Sequence, residues 1–140
     1  MIAYFDTSAV IPLLLGEPSS AVCTRIWNDA DRCLSVRLLY PEARAALARA
    51  RRMHRVTPRQ LTAAVRSLDL LMTEIEHVEI RDGLARHAGD LAQTHDLRGF
   101  DAVHLAAALA VADAEVVFVS GDADLTRAAS RSGLAVAMTS

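Results

Sequence analysis

The sequence predicts an α/β protein, a three-layer α/β/α sandwich built on a mainly parallel central sheet of about four to five short strands. Short apolar segments alternate with longer stretches whose apolar residues recur at helical spacing. Successive parallel strands need a connection of helix length, and such helices cover both faces of the sheet. The length of 140 residues is typical of one domain with one core. We therefore expect a single domain over residues 1–140.

The predicted elements follow from caps, breakers and apolar runs. Gly16 and Pro18 close the first helix, and Thr57 followed by Pro58 is a typical start for a later one. The predicted strands are residues 2–5, 33–36, 78–80, 115–119 and 134–137. The predicted helices are residues 7–15, 20–30, 41–53, 57–75, 82–95, 100–112 and 122–131.

The composition indicates a core of small and aliphatic side chains, because 52% of residues are hydrophobic but only 4% are aromatic. Cys23 and Cys33 lack any Cys/His ligand pattern and are interpreted as reduced packing residues. No basic segment precedes the first apolar run, and no run reaches the roughly 18 residues of a membrane helix. We therefore expect a soluble, cytoplasmic protein with no membrane partner.

The charge is unevenly distributed although the net charge is only −2. Residues 37–66 hold eight arginines and one acid, a balance of +7, which leaves −9 for the other 110 residues. The chain contains no lysine, so its permanently charged basic side chains are the guanidinium groups of arginine, which can bind two phosphate oxygens at once. The distribution is compatible with a nucleic-acid surface or with a solvated helix face.

Four acids stand near the starts of predicted helices: Asp6, Glu42, Asp101 and Asp122. Asp6 and Asp122 follow predicted strands, so we expect both at the carboxyl edge of the sheet, where α/β folds bind ligands. Asp101 lies in the almost wholly apolar segment 100–110, where an acid is rarely buried without a partner or a metal. Carboxylates that meet at one point repel unless cations neutralise them. Oxygen ligands without cysteine favour Mg²⁺ or Mn²⁺ over Zn²⁺, as one ion or as a pair.

The first two acids also have ordinary structural explanations. Asp6 could be a helix N-cap, although Thr7 or Ser8 could cap the helix instead and free Asp6 for another role. Glu42 could interact with the dipole of its helix or form an ion pair with Arg44. Neither acid therefore identifies a functional site by itself.

The same applies to the later acids. Asp101 and Asp122 could be N-caps, and Asp124 is an alternative to Asp122 as the fourth acid of a site. His104 follows Asp101 by three residues, on the same helical face. His104 could orient that carboxylate, contact a substrate or be a hydrogen-bonded core residue.

A family resemblance covers essentially the whole chain and is carried by four segments. These are IAYFDTSAV at residues 2–10, PEAR at 41–44, RGFDAVHLA at 98–106 and VSGDADL at 119–125. In this order the segments resemble those of the PIN-domain ribonucleases, and within them the VapC toxins of bacterial toxin–antitoxin pairs. The resemblance implies a PIN-like fold and a catalytic, metal-binding tetrad of Asp6, Glu42, Asp101 and Asp122 with Mg²⁺ or Mn²⁺.

The resemblance also implies supporting residues. Ser8 and Ser120 match small hydroxyl residues expected to hydrogen-bond within the site, and Asp124 and His104 are further supporting candidates. Arginines near Glu42 could hold the phosphates of RNA. These candidate RNA-binding residues are Arg44, Arg49, Arg51, Arg52, Arg55 and Arg59. Because aromatic residues are few, base stacking is not an evident source of sequence selectivity.

The function implied by the resemblance is that of the toxin in a type II toxin–antitoxin system. Such a toxin is a metal-dependent endoribonuclease, in which the cation activates water to attack an RNA phosphodiester and stabilises the leaving oxygen. A cognate VapB-type antitoxin is expected to occlude the site, and a homodimer is expected as well. Apolar surface on the helices at 9–15 and after Pro58 is available for these partners.

Two other functions fit parts of the sequence. A phosphatase of the haloacid-dehalogenase type also begins with an aspartate after its first strand. That chemistry requires a second aspartate two residues later, where this chain has Ser8. A non-catalytic PIN-like binding module, with the acids as caps, is the other alternative, although Ser or Asn would cap equally well.

Overall fold

The computed structural model describes residues 1–112 and 115–140, in which strands and helices alternate along the chain. The elements in order are β1 (Ile2–Phe5), α1 (Thr7–Leu14), α2 (Ser20–Asp29), β2 (Arg32–Val36), α3 (Leu39–Arg52), α4 (Pro58–Glu74), β3 (Glu76–Val78), α5 (Asp82–His95), α6 (Gly99–Ala110), β4 (Val116–Ser120), α7 (Ala123–Arg131) and β5 (Ala135–Met138). This order agrees closely with the predicted one.

The strands form one parallel sheet in the order β3-β2-β1-β4-β5. β1 is central, because Ile2 pairs with Arg32 of β2 on one side and with Val116 of β4 on the other. The chain proceeds outward from β1 to β3 and then crosses to the other side for β4 and β5. This reversal creates a topological switch point between β1 and β4, and ligands of α/β folds bind in the crevice beyond the strand ends at such a point. Asp6 follows β1 directly at this crevice.

Two hydrophobic cores, one on each face of the sheet, confirm the predicted three-layer sandwich. Side chains along β1 alternate between them, since successive residues of a strand point to opposite faces. Tyr4 packs in the core shared with α5, α6 and α7, whereas Ala3 and Phe5 pack in the core shared with α1, α3 and α4. Four residues of α6 that follow one another, Leu105–Ala108, are fully buried. Three of the four are alanines, whose small side chains let this helix lie close to the sheet.

The start of α4 shows how local sequence sets a helix boundary. Thr57 Oγ1 accepts a hydrogen bond from Gln60 N at 3.1 Å, and Gln60 Oε1 accepts one from Thr57 N at 2.8 Å. This reciprocal capping box satisfies two donors that no helical carbonyl could reach. Pro58 occupies the first turn, where its missing N–H costs nothing.

Most boundaries agree with the prediction to within one residue, but β3, the start of α3 and the end of α6 differ by two. β3 covers Glu76–Val78 rather than 78–80, because its position is set by pairing with β2, in which Val36 is opposite Val78. Ile80, expected inside this strand, is 43% exposed. α3 begins at Leu39, two residues earlier than predicted, since Pro41 is tolerated anywhere in the first turn.

Cys23 and Cys33 are both free thiols, as expected for packing residues. Cys23 is fully buried in the core under α1, α3 and α4. Over the described residues, none of the helices has the length and apolar character needed to cross a membrane.

Candidate functional site

Asp6 lies at the carboxyl end of β1, is the N-cap of α1 and is only 4% exposed. Its Oδ1 atom accepts hydrogen bonds from Ser8 Oγ at 2.7 Å and from Ala9 N at 3.3 Å. Its Oδ2 atom accepts one from Ser120 Oγ at 3.1 Å. The alternative that Thr7 or Ser8 caps this helix is wrong, because Asp6 itself does so. The carboxylate of Asp6 therefore caps α1 and also lies in the crevice beyond the end of β1.

Burial raises the pKa of Asp6 from 3.8 to about 6. The electrostatic influence of His104 and the hydrogen bonds from Ser8, Ser120 and Ala9 act in the opposite direction, but they do not outweigh desolvation. The carboxylate is therefore poorly compensated by the protein alone. A cation beside it would favour the ionised form.

Ser8 and Ser120 join the ends of β1 and β4 around Asp6. Ser8 Oγ accepts a hydrogen bond from Gly121 N at 2.8 Å and lies 3.3 Å from Ser120 Oγ. Ser120 Oγ accepts one from Asp122 N at 3.0 Å. A Cβ atom at Gly121 would lie 3.3 Å from Thr139 Oγ1 and 3.5 Å from Ser8 Oγ, so a larger residue would crowd this junction. The two serines thus fix the loop that carries Asp122.

Glu42 lies in the first turn of α3 and reaches across to α1 and α6. Its Oε1 atom accepts hydrogen bonds from Thr7 Oγ1 at 2.8 Å and from His104 Nε2 at 2.7 Å. Burial raises the pKa of Glu42, but the contacts with His104 and Thr7 outweigh it, so the net pKa is lowered. Arg44, a possible ion partner of Glu42, instead donates to Tyr40 Oη at 3.0 Å.

Asp101 is the third residue of α6, whose N-cap is Arg98, so the explanation of Asp101 as an N-cap is wrong. Its side chain is 23% exposed, and Arg98 Nε lies 3.6 Å from its Oδ2. Burial raises the pKa of Asp101, and the negative charges of Asp122 and Glu42 raise it further. Arg98 and His104 partly offset this increase. Two of the other acids, Asp122 and Glu42, therefore lie near enough to Asp101 to repel its charge.

Asp122 and Asp124 have different surroundings. Asp122 is the N-cap of α7, and its Oδ1 atom accepts hydrogen bonds from Asp124 N at 2.9 Å and Leu125 N at 3.1 Å. The cap does not use Oδ2. The side chain of Asp124 is 82% exposed and pairs with Arg127 at 2.9 Å on the outer surface of α7. Of these two acids, Asp122 raises the pKa of Asp101, whereas Asp124 is not among the causes of that shift.

The structure brings four predicted acids to one end of the sheet, and we call them the acid cluster: Asp6, Glu42, Asp101 and Asp122. The atoms that these acids can offer to a metal ion are all carboxylate oxygens, which suit Mg²⁺ or Mn²⁺. Among the described residues, no three His, Cys, Asp or Glu side chains form a ready-made metal site. Hydroxyl, imidazole and guanidinium groups hold several of these carboxylates in their present positions.

The predicted RNA-binding arginines lie along α3, in the loop that follows it and at the start of α4, rather than around the acid cluster. Arg49, Arg51 and Arg52 are in the last turn of α3. Glu42 is in its first turn, which corresponds to about 10–15 Å along the axis at 1.5 Å per residue. Arg44 stacks on Tyr40 with 5.7 Å between guanidinium carbon and ring centre. Arg55 pairs with Glu17 at 3.1 Å, and Arg59 is exposed near the start of α4.

Two residues near the acid cluster were missed by the sequence interpretation. Tyr4 is fully buried, and its Oη lies 3.0 Å from His104 Nδ1. The available signal in the sequence was a tyrosine inside a predicted buried strand, because a buried tyrosine hydroxyl needs a hydrogen-bond partner. Phe100, next to Asp101, is 58% exposed. The sequence signal for Phe100 was that it does not share the buried helical face formed by Ala102 and Leu105.

Comparisons with known proteins identify the family and the fold of this chain. Residues 3–130 match the family model described as the PIN domain. Two proteins of Mycobacterium tuberculosis strains, Ribonuclease VapC45 and Ribonuclease VapC49, are each 43% identical over 136 residues, which is 97% of this chain and 94% of theirs.

Solved structures with low sequence identity share the fold. PAE2754 from Pyrobaculum aerophilum has a TM-score of 0.68 and 22% identity, covering 97% of this chain and 92% of its own. Mycobacterium tuberculosis VapC20, described as a sarcin-ricin loop cleaving toxin, has a TM-score of 0.66 and 21% identity, with 94% and 95% coverage. VapBC-1 from nontypeable Haemophilus influenzae has a TM-score of 0.64 and 16% identity, with 99% and 98% coverage.

Proposed function

Because this chain belongs to the PIN-domain family, and within it to the VapC endoribonucleases that are toxins of type II toxin–antitoxin systems, we propose that the acid cluster is its catalytic centre. In this proposal the four carboxylates hold a divalent cation, Mg²⁺ or Mn²⁺, at the switch point between β1 and β4. The whole chain, residues 1–140, is proposed to be one PIN domain.

The observation that carries the proposal is the poor compensation of negative charge in the acid cluster. Asp6 is 4% exposed, and its pKa is raised to about 6. The pKa of Asp101 is raised most by burial and further by the negative charges of Asp122 and Glu42. The buried charge of Asp6 is costly for a helix cap, because serine or asparagine would cap without it, and Asp101 caps no helix. A bound cation removes that cost.

The cation, when bound, supplies an activated water for attack on phosphorus and stabilises charge on the leaving oxygen. The side chains of the protein hold the ligands in place. Ser8 and Ser120 donate hydrogen bonds to Asp6, Thr7 donates one to Glu42, and the backbone of α7 fixes Asp122 by Oδ1. The proposal requires only one cation.

RNA is the proposed substrate, and its phosphates are proposed to contact the arginines of α3 and α4. These are Arg44, Arg49, Arg51, Arg52, Arg55 and Arg59. Two exposed residues beside Asp101 extend this surface to the acid cluster: Arg98, with an 88% exposed side chain, and Phe100. Arg98 is suited to a phosphate next to the cleaved bond, and Phe100 to stacking on an unpaired base. Such an enzyme would act in the cytoplasm, on cellular RNA.

The partners of the toxin are proposed to be a VapB-type antitoxin and a second copy of this chain. The supporting feature is an open apolar groove of about 270 Å³ between α1, α2 and α4, lined by Leu13, Leu14, Trp27 and Leu71 among others. Leu70 at its rim is 63% exposed. An antitoxin that covers this groove and extends to the acid cluster would occlude the site.

The phosphatase alternative lacks support in the geometry. Its second aspartate would occupy position 8, where Ser8 instead donates a hydrogen bond to Asp6. A serine at this place cannot act as the general acid of that reaction.

Cleavage of a labelled RNA by the purified chain, with Mg²⁺ or Mn²⁺ and with EDTA, tests the proposed function. We expect metal-dependent cleavage that falls about 100-fold or more in Asp6→Ala and Asp101→Ala, because each variant removes a ligand. Asp124→Ala is the matched control, since this carboxylate is exposed and paired with Arg127. Cleavage that persists unchanged in both ligand variants, or no cleavage with either metal, would refute the proposal.

A further inference from the structure

A buried chain of hydrogen bonds lies directly behind Glu42. His104 is 1% exposed, with Nδ1 at 3.0 Å from Tyr4 Oη and Nε2 at 2.7 Å from Glu42 Oε1. Thr7 Oγ1 donates to the same Glu42 oxygen at 2.8 Å. This chain of hydrogen bonds therefore runs from the centre of β1, through α6, to the first turn of α3, and ends on a proposed metal ligand.

The chemistry of the partners fixes the direction of the hydrogen bond between His104 and Glu42. A carboxylate only accepts, so His104 carries a proton on Nε2 and donates it to Glu42. When the imidazole is neutral, Nδ1 accepts from the hydroxyl of Tyr4, and when it is protonated Nδ1–H donates to Tyr4 Oη, so that Nε2–H donates to Glu42 in both forms. Burial raises the pKa of Tyr4 well above its usual value, so this hydroxyl keeps its proton. Nδ1 of His104 thus faces Tyr4 and Nε2 faces Glu42, with Thr7 Oγ1 a second neighbour of Nε2 at 3.3 Å.

The ring of Tyr4 is itself held rigidly. It stacks on Phe118 at 5.6 Å with only 7° between the planes, and it meets His104 edge-on at 5.9 Å. Phe118 belongs to β4, the strand next to β1, so the sheet fixes both aromatic rings. His104 consequently has little freedom to turn away from Glu42.

We propose that Tyr4 and His104 are positioning residues that hold Glu42 by Oε1, so that Oε2 is the single oxygen it offers to the cation. This proposal rests on the proposed function, since it assumes that Glu42 is a metal ligand. His104 and Thr7 both donate to Oε1, which leaves Oε2 as the oxygen that is not bound by this pair. Hydrogen-bonded partners of metal ligands fix ligand orientation, and their loss typically lowers metal affinity about 10–100-fold. The sequence-based idea that His104 orients Asp101 is replaced by this contact with Glu42.

Mn²⁺ binding to the purified full chain, followed by the electron paramagnetic resonance of free Mn²⁺, tests the proposal without RNA. Tyr4→Phe keeps the stacked ring and removes only the hydroxyl, and we expect Mn²⁺ affinity to fall about 10-fold. His104→Gln places an amide N–H near the position of Nε2 and should retain part of the affinity. His104→Asn places its amide nearer Nδ1 and should lose about 10–100-fold.

Tyr40→Phe is the matched control for Tyr4→Phe. It also removes one tyrosine hydroxyl, which donates to Asp69 at 2.9 Å, but this bond lies on the exposed surface and does not involve His104. We expect wild-type Mn²⁺ affinity in this variant. Nitrogen-15 spectra of the His104 ring give an independent check, with the proton on Nε2 in the wild type.

The outcomes separate the positioning role from a purely structural one. If Tyr4→Phe and His104→Asn only lower the melting temperature and bind Mn²⁺ like the wild type, while Glu42→Gln binds it weakly, the positioning role is overturned and the proposed function stands. A proton found on Nδ1 alone would also overturn it. A wild-type protein that binds no Mn²⁺ would overturn both proposals together.

Discussion

Asp6 combines two roles that usually compete for a carboxylate, since it caps α1 and faces the crevice of the sheet. The cap uses Oδ1, and Ser120 donates to Oδ2. Neither contact compensates for the burial that raises its pKa to about 6. Without a cation, the folded protein therefore binds a proton at Asp6 more tightly than the unfolded chain does.

The pKa of Asp6 predicts a pH-dependent stability in EDTA. Because the folded pKa of about 6 exceeds the unfolded value of 3.8, the contribution of Asp6 to stability is complete below pH 3.8 and is lost as pH rises through about 6. The total loss is about 3 kcal/mol, from about 1.36 kcal/mol per pKa unit. Asp6→Asn keeps an oxygen for the cap and should not show this loss. Urea unfolding at several pH values compares the two proteins, and parallel curves would contradict the prediction.

Asp122 and Asp124 should differ in function although they stand two residues apart. Asn caps helices as well as Asp does, so Asp122→Asn should change the free energy of unfolding by less than about 0.5 kcal/mol. Its RNA cleavage should nevertheless fall about 100-fold, because a charged ligand is lost. Asp124→Asn should leave both quantities nearly unchanged. A larger loss of cleavage in Asp124→Asn than in Asp122→Asn would reverse the assignment of the fourth acid.

At the scale of the elements, helices were predictable where caps and breakers mark their ends, as Thr57 and Pro58 do for α4. The exact position of β3 could not be predicted, because this three-residue edge strand is positioned by its partner β2 and not by its own sequence. The acids were found because each follows a strand or begins a helix. The contacts of Tyr4 and His104 were not found, since they join residues 100 positions apart.

The capping box of α4 should contribute measurable stability that is separate from catalysis. Thr57→Ala should lower the free energy of unfolding by about 1 kcal/mol, because it leaves the amide of Gln60 without its cap. This corresponds to a melting temperature lower by about 4 °C. Thr62→Ala is the control, since Thr62 is an exposed residue inside the same helix and alanine is a better helix former. Equal destabilisation of the two variants, or a loss of RNA cleavage in Thr57→Ala, would contradict this role.

At the scale of the whole molecule, charge is divided between a basic segment and an otherwise acidic chain. Residues 37–66 carry +7 within a protein of net charge −2. The sequence alone predicted this division, but the positions of the arginines depended on the length of α3. That helix carries Arg49 and Arg52 away from Glu42, so RNA that contacts both regions has to extend along α3.

The salt dependence of RNA affinity tests this surface. For a single strand, each lost phosphate contact should reduce the slope of log affinity against log salt by about 0.7. We expect the double variant Arg49→Gln and Arg52→Gln to reduce the slope by about 1.4 when binding is measured in EDTA, where no cleavage occurs. Arg86→Gln is the control, because Arg86 lies on α5 and pairs with Asp82 at 3.0 Å. An unchanged slope in the double variant would place the RNA elsewhere.

The proposal that the acid cluster shares a cation is tested most directly by anomalous diffraction from a crystal soaked in Mn²⁺. We predict one strong peak at the switch point between β1 and β4, at about 2.0–2.2 Å from ligand oxygens. The ligands should come from Asp6, Asp101 and Asp122, with Glu42 contributing Oε2. A crystal with no peak there, in which the four carboxylates keep only their present hydrogen bonds, would contradict a catalytic metal centre.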